Sequence, residues 1–396
     1  MSFSSTDGAS TARHSKGPPP SVSSDERTGK HLPALDGLRG IAVLLVFFLH
    51  YGAGGHSSSP LVRAVGTVFK VGWAGVDLFF VLSGFLITGI LVDTLHDQGY
   101  YRNFYARRAL RIFPVYYLLC GACVLAGIYF GVHWAPAHLW FLVYLGNPAC
   151  IIWPQLLPML LPIHLTHLWS LSVEEQFYCV WPWTIRKLRD TSRIIAGCCA
   201  LMAVAFLGRL GFFVMQRHGW TGDWPYLFIM CRMDALAVGA LIAVLVRGAQ
   251  KGRLLRFAPI GFAISGIALV LLFAVRHTTS GIDAGISVFG MSLLAAFFGS
   301  VLLMALVEGS LTERFLSLKA LRFLGCYSYG LYLYHVPLQP VLQGMQPYFT
   351  ALTHSAFAGG LLFVFISLLV NLLVAVASFH FFEAPIMKLK SKFRYA

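Results

Sequence analysis

Apolar runs of roughly twenty residues recur along this chain, and each is long enough to cross the hydrocarbon of a bilayer. A soluble domain has nowhere to bury so many. Only 12% of the 396 residues are charged, about half the share of an ordinary soluble protein, and the mean hydropathy is +0.71. In lipid every backbone N–H and C=O must be satisfied within the protein, which restricts spanning segments to helices or a closed barrel. Runs of this length specify helices. The expected fold is therefore an all-α integral membrane bundle of about ten transmembrane helices, at 37–53, 71–92, 110–131, 167–185, 194–215, 225–246, 257–275, 284–307, 323–345 and 357–382.

Charge sets the orientation. With the N-terminus inside, 24 of the 30 Lys and Arg residues fall on cytoplasmic tails and loops, the asymmetry that places both termini in the cytoplasm. The same clustering between apolar runs explains the net charge of +14 without nucleic acid, since no compact basic and aromatic module is present. Residues 1–31 are rich in Ser, Pro and charge and are expected to be a disordered cytoplasmic tail with no cleavable signal. The membrane domain then covers 32–386, and 387–396 forms a basic cytoplasmic tail. The stretch 137–163 is apolar but broken by prolines. It is expected to be an outer loop lying on or dipping into the membrane, with Trp140 and Trp153 at the interface and a possible role as a lid. The eight cysteines sit almost entirely in apolar runs, so neither a disulfide framework nor a zinc site is implied.

Ionisable groups inside hydrocarbon are costly and mark cavities or partners. Counting about 1.5 Å per residue, His50, Asp77, Glu174, Arg232, Asp234 and His335 all fall in the outer third of the slab, on five helices. The bland reading is a set of ion pairs pinning helices together; a shared cavity accounts better for six at one level. Arg39 and His50 lie eleven positions apart on nearly one face of the first helix, about 16 Å from each other. One stands at the cytoplasmic mouth and the other deep inside, a geometry that suits a long ligand with an anionic head. Arg108 and Arg111 share a face at the same mouth, where guanidinium forks recognise phosphates. Ser83 and Ser172 are read as packing residues rather than nucleophiles. Of the tyrosines at 327, 329, 332 and 334, the deeper Tyr334 is the expected site neighbour.

Seven stretches in order, among them LPALDGLRGIAVLLVFFLHY at 32–51, GWAGVDLFFVLSGFLITGIL at 72–91 and FYARRALRIFPVYY at 104–117, resemble the acyltransferase family 3. HLWSLSVEEQFYCVWP at 167–182, RMDALAVGALIA at 232–243, YSYGLYLYHVPL at 327–338 and FHFFEAP at 379–385 complete the set. The resemblance implies a ten-helix membrane O-acyltransferase, multi-pass in a bacterial inner membrane, with acyl-CoA, acetyl-CoA by default, as co-substrate and no metal. It implies an essential Arg and His on the first span, here Arg39 and His50, and a CoA-binding RxxR, here Arg108 and Arg111. The acceptor would be a carbohydrate, glycolipid or small-molecule hydroxyl. Some members carry a further extracytoplasmic hydrolase domain; this sequence stops soon after Glu383, so transfer is expected to finish within the membrane domain.

The expected mechanism has His50 as general base on the acceptor hydroxyl, with an acyl-His intermediate as the alternative. Glu174 or Asp77 would orient its ring and Arg232 would stabilise the oxyanion. The rival is a transporter of a small polar or acidic solute, which the same polar column would serve, although no internal repeat relates two halves of the chain.

Overall fold

A computed structural model describes residues 32–52, 60–131, 136–153, 165–219 and 224–395; the N-terminal tail expected at 1–31 lies outside them. Among the described residues there is no strand, and ten helices have 15 residues or more. They are α1 (Pro33–Tyr51), α2 (Ala74–Asp93), α3 (Tyr100–Tyr129), α4 (Trp169–Leu188), α5 (Thr191–Arg217), α6 (Ile229–Leu245), α7 (Lys251–Arg276), α8 (Met291–Ala305), α9 (Ser328–Gln343) and α10 (Ala356–Ser378). The protein is an all-α polytopic membrane protein.

Eight of these helical stretches are long and apolar enough to cross a membrane, rather than ten. The other two are α4 and α9, and each falls short for a physical reason. Glu174, Glu175, Arg186 and Lys187 make α4 too polar. With 16 residues α9 reaches only about 24 Å against a ~30 Å hydrocarbon core. Both helices instead set Ser170, Glu174, Glu175, Tyr329 and Tyr332 on a cavity inside the bundle, described below. The start of α3 also differs from expectation: the helix begins at Tyr100, some ten residues before the apolar run. Arg102 and Arg107 therefore project from the same helix as Arg108 and Arg111, whose shared helical face was expected.

At the centre α2 lies against α6 and α1. Gly84 and Gly239 make the α2–α6 approach possible, because a Cβ on Gly84 would run into the Leu236 carbonyl oxygen and one on Gly239 into that of Val81. Close backbone contact through small residues is how helices associate when lipid removes the hydrophobic drive between them. A bulky side chain there must push the helices apart. Gly84→Leu is expected to destabilise the protein by about 2 kcal/mol or more, read as a lowered melting temperature in detergent. Around this core α5, α7 and α10 leave most of their surface facing outward.

Within 137–163 the described part forms two short helices, Pro136–Leu142 and Gly146–Ile152, with Trp140 and Trp153 packed edge to face at 5.0 Å. The segment is tied to α3 and α4: Tyr116 OH donates to Phe141 O at 2.6 Å, and Gly146 N–H donates to Ser172 Oγ at 3.1 Å. Ser172 thus serves as a packing acceptor. Beyond α10 the chain stays helical through a π-turn, Phe379–Glu383, and on to Lys392, then folds back against α3.

Candidate functional site

The first part of the site is a cavity of about 110 Å³ between α1, α2, α3, α4 and α9. Three arginines line it: Arg39 from the second turn of α1, and Arg108 and Arg111 one turn apart on α3. Arg39 is braced by Asp36 of its own helix at 2.9 Å. Arg108 lies over the Tyr178 ring of α4, 5.0 Å from its centroid. Glu174, Glu175, Ser83 and Tyr178 share the cavity, with Ser83 Oγ donating to Glu174 Oε1 at 2.5 Å. Three guanidiniums crowded into one partly enclosed cleft repel one another, and the nearby carboxylates offset this only in part. Such a site has a standing preference for a polyanion.

Beside this cavity stands a cluster of imidazoles. The His50 and His335 rings lie edge to face with centroids 4.8 Å apart, and His335 lies 5.3 Å from His167. Backbone carbonyls set their tautomers. His50 Nδ1 is 2.9 Å from Val46 O, and His335 Nδ1 is 2.6 Å from Tyr332 O. A carbonyl can only accept, so each ring keeps a proton on Nδ1 and, when neutral, presents Nε2 as a bare lone pair. His335 Nε2 is buried with no hydrogen-bond partner. A buried acceptor without a donor is uncommon and calls for an explanation.

Between cavity and imidazoles stands Tyr332. Its hydroxyl is 2.5 Å from Ser170 Oγ and donates to His167 O at 2.9 Å. Its ring lies 5.5 Å from that of His335 and 6.0 Å from that of Phe79. Ser170, Tyr332 and Phe79 line the cavity, and His50 does not.

The six ionisable groups placed at one depth by counting residues thus separate into three sets. His50 and His335 form the imidazole pair. Glu174 departs from them and joins the arginine cavity; it does not orient His50, whose Nδ1 is already held by Val46 O. Asp77, Arg232 and Asp234 form a buried network with Arg209. Arg232 bridges to Asp77 at 3.0 Å, and Arg209 bridges to Asp234 at 2.6 Å, while Arg209 also donates to Ser292 Oγ at 2.6 Å and to Cys231 O. Arg232 is enclosed by the rings of Phe80, Trp169 and Tyr226, with centroids 5.0–5.7 Å from its Cζ. A guanidinium bridged and caged in this way pins α2, α4 and α6 together, and it does not line the arginine cavity.

Reading residues alone missed His167, Glu175, Ser170 and Tyr178, and it chose Tyr334 over Tyr332. Tyr334 OH instead meets Ser378 Oγ at 2.8 Å. The signal was available in the spacing: Tyr332 and His335 are three apart and share a helical face, whereas Tyr334 is turned about 100° away from His335. Among the described residues no group of three His, Cys, Asp or Glu side chains is placed to hold a metal ion.

The arginine-lined cavity and the imidazole pair thus lie next to each other within the helical bundle. The chain belongs to the acyltransferase family 3, whose acyltransferase domain matches residues 32–380, and it is by family a membrane acyltransferase. It is similar to the O-acetyltransferase OatA of Staphylococcus aureus, with 28% identity over 91% of this chain and 58% of that protein. It is also similar to the putative peptidoglycan O-acetyltransferase YrhL of Bacillus subtilis, at 26% over 90% and 55%, and to the peptidoglycan O-acetyltransferase OatA of Listeria monocytogenes, at 26% over 91% and 56%. The chain spans a little over half the length of these relatives. No solved structure matches it.

Proposed function

We propose that this protein transfers an acyl group, acetyl by default, from acyl-CoA to a hydroxyl of a carbohydrate-type acceptor. The observation that carries the proposal is the arginine cavity abutting an imidazole whose tautomer leaves Nε2 bare. Arg39, Arg108 and Arg111 hold the phosphates of the donor, and its thioester end extends toward Tyr332. The acceptor oxygen attacks the thioester carbonyl carbon while His50 Nε2 takes its proton. The carbon–sulfur bond then breaks, and the proton passes from His50 to the departing CoA thiolate. Acyl, proton and electron pair all balance without a further reactant. Peptidoglycan acetylation by two of the named relatives supports a glycan as the acceptor class.

In this arrangement the thioester must pass Tyr332 to meet His50. Its hydroxyl is held by Ser170 and His167 and its ring packs against Phe79, His167 and His335, so the proposed transfer requires this side chain to move.

The test uses purified protein in nanodiscs with labelled acetyl-CoA. Arg108→Ala removes one charge-assisted phosphate contact worth about 1.5–3 kcal/mol, so the donor Kd is expected to rise roughly 10- to 100-fold. Failure of the wild type to bind acetyl-CoA or any of a panel of acyl-CoAs would sink the proposal and return the polar column to a transporter.

A further inference from the structure

The FHFFEAP stretch has no role in the chemistry above, yet it ends in a carboxylate placed inside the bundle. The inward stripe of α10 runs through Gly359, Phe363, Ser367, Asn371 and Ala375, then Phe379, and Glu383 is its last member at 7% exposure. The turn that delivers it is a π-turn, Phe379–Glu383, a local irregularity that recurs at functional positions. Ser378 Oγ donates to Glu383 Oε1 at 3.3 Å.

Glu383 and Arg111 line the same small side cavity, a gap about the size of one water molecule. Arg111 also lines the main arginine cavity, so together with Tyr329, which lines both, it separates the two. The two charges attract across that gap, while Arg39 and Arg108 repel Arg111 from the other side. A direct bidentate pair would occupy the guanidinium fork and withdraw it from any ligand. A carboxylate on the same side cavity, with no direct ion pair to Arg111, holds the charge in place and leaves the fork free.

The same end of the chain braces α3 from outside. Arg107 Nη1 donates to Phe393 O at 2.9 Å and to Lys390 O at 3.3 Å, and Asn103 Nδ2 donates to Arg394 O at 2.7 Å. The guanidiniums of Arg102 and Arg107 sit 5.6 Å from the ring centroids of Phe393 and Tyr395. These contacts grip the face of α3 beside the one that carries Arg108 and Arg111, and so set its rotation.

We propose that Glu383 is a positioning residue for Arg111, aiming its guanidinium at the anionic head of the acyl donor; this rests on the reading of the main cavity as the donor site. The experiment is a double-mutant cycle of Glu383→Gln and Arg111→Met in full-length protein, read both as acetyl-CoA Kd and as melting temperature. Glu383→Gln is expected to raise the donor Kd about tenfold, the loss of one charge-mediated contact. Turnover at saturating donor should stay within about twofold of wild type, and Glu383→Asp should recover most of the affinity. Adding Glu383→Gln to Arg111→Met should cost nothing more. An unchanged Kd, a fall in turnover with Kd intact, or full additivity with Arg111→Met would each overturn the proposal. Should Glu383→Gln fail to fold, the pairing requires that the double variant regain the fold; if it does not, the pairing is wrong. Coupling in melting temperature needs no donor, so a wild type that binds no acyl-CoA removes the donor reading while the pairing is still decided by the cycle.

Discussion

Replacing His50 by alanine is expected to lower the rate of acyl transfer about a thousandfold while leaving the donor affinity nearly unchanged. A positioned general base contributes on the order of 10²–10⁴ in rate, and His50 is the imidazole on the same helix as Arg39, which is proposed to hold the donor. Its Nδ1 is committed to Val46 O, so only Nε2 is available to take a proton. The arginines lie in a cavity that His50 does not line, which is why binding should survive. Single-turnover release of CoA, measured beside equilibrium binding of acetyl-CoA, separates the two effects. A variant that loses binding and turnover together would place His50 in the donor cleft and contradict the arrangement described here. His335→Ala is expected to fall between the two, because the second imidazole touches the first rather than the donor.

The largest effect on stability is expected from Arg232→Met. The change leaves Asp77 buried at 1% exposure without its charge partner, and breaking a buried pair from one side typically costs about 3–5 kcal/mol. The double replacement Asp77→Asn with Arg232→Met removes both charges and should recover most of that loss. Melting temperature in detergent and the yield of monodisperse protein report it. If the single variant is as stable as wild type, the network does not pin α2 to α6. If instead the double variant remains as unstable as the single one, packing by the guanidinium and its three rings matters more than its charge.

Much of the fold was legible because lipid imposes so strict a rule: α1, α2, α5, α6, α7, α8 and α10 each announce themselves as long apolar runs with few charges. The helices at 167–185 and 323–345 were also placed, as α4 and α9, but these two fall short of a membrane-crossing helix. In α4, Glu174, Glu175 and Gln176 interrupt the hydropathy, and α9 is short with prolines at 337 and 340. For the site, sequence reasoning placed Arg39, Arg108 and Arg111 at one mouth, and the structure sets all three on one cavity. It misplaced Glu174 because counting residues gives the height of a Cα, whereas an arginine carries its charge several bonds along the axis. Arg39 and Arg108 thus reach the carboxylate from below. Asp77, Arg232 and Asp234 were correctly seen as buried, but only the structure reveals Arg209 as the fourth member, because its position on α5 lay in a run with no other polar signal.

The Asp77–Arg232 pair also bears on how the chain is made. Asp77 is synthesised well before the arginine that neutralises it, with α3, α4 and α5 in between. Until α6 arrives, α2 carries a carboxylate without its charge partner, at a cost below the ~2.5–3.5 kcal/mol of a charge at mid-span because Asp77 lies in the first turn. The second helix should therefore linger at the insertion machinery instead of diffusing away, and nascent chains arrested before position 225 should be held there or degraded. On this expectation, assembly waits for the partner of a buried charge to be translated.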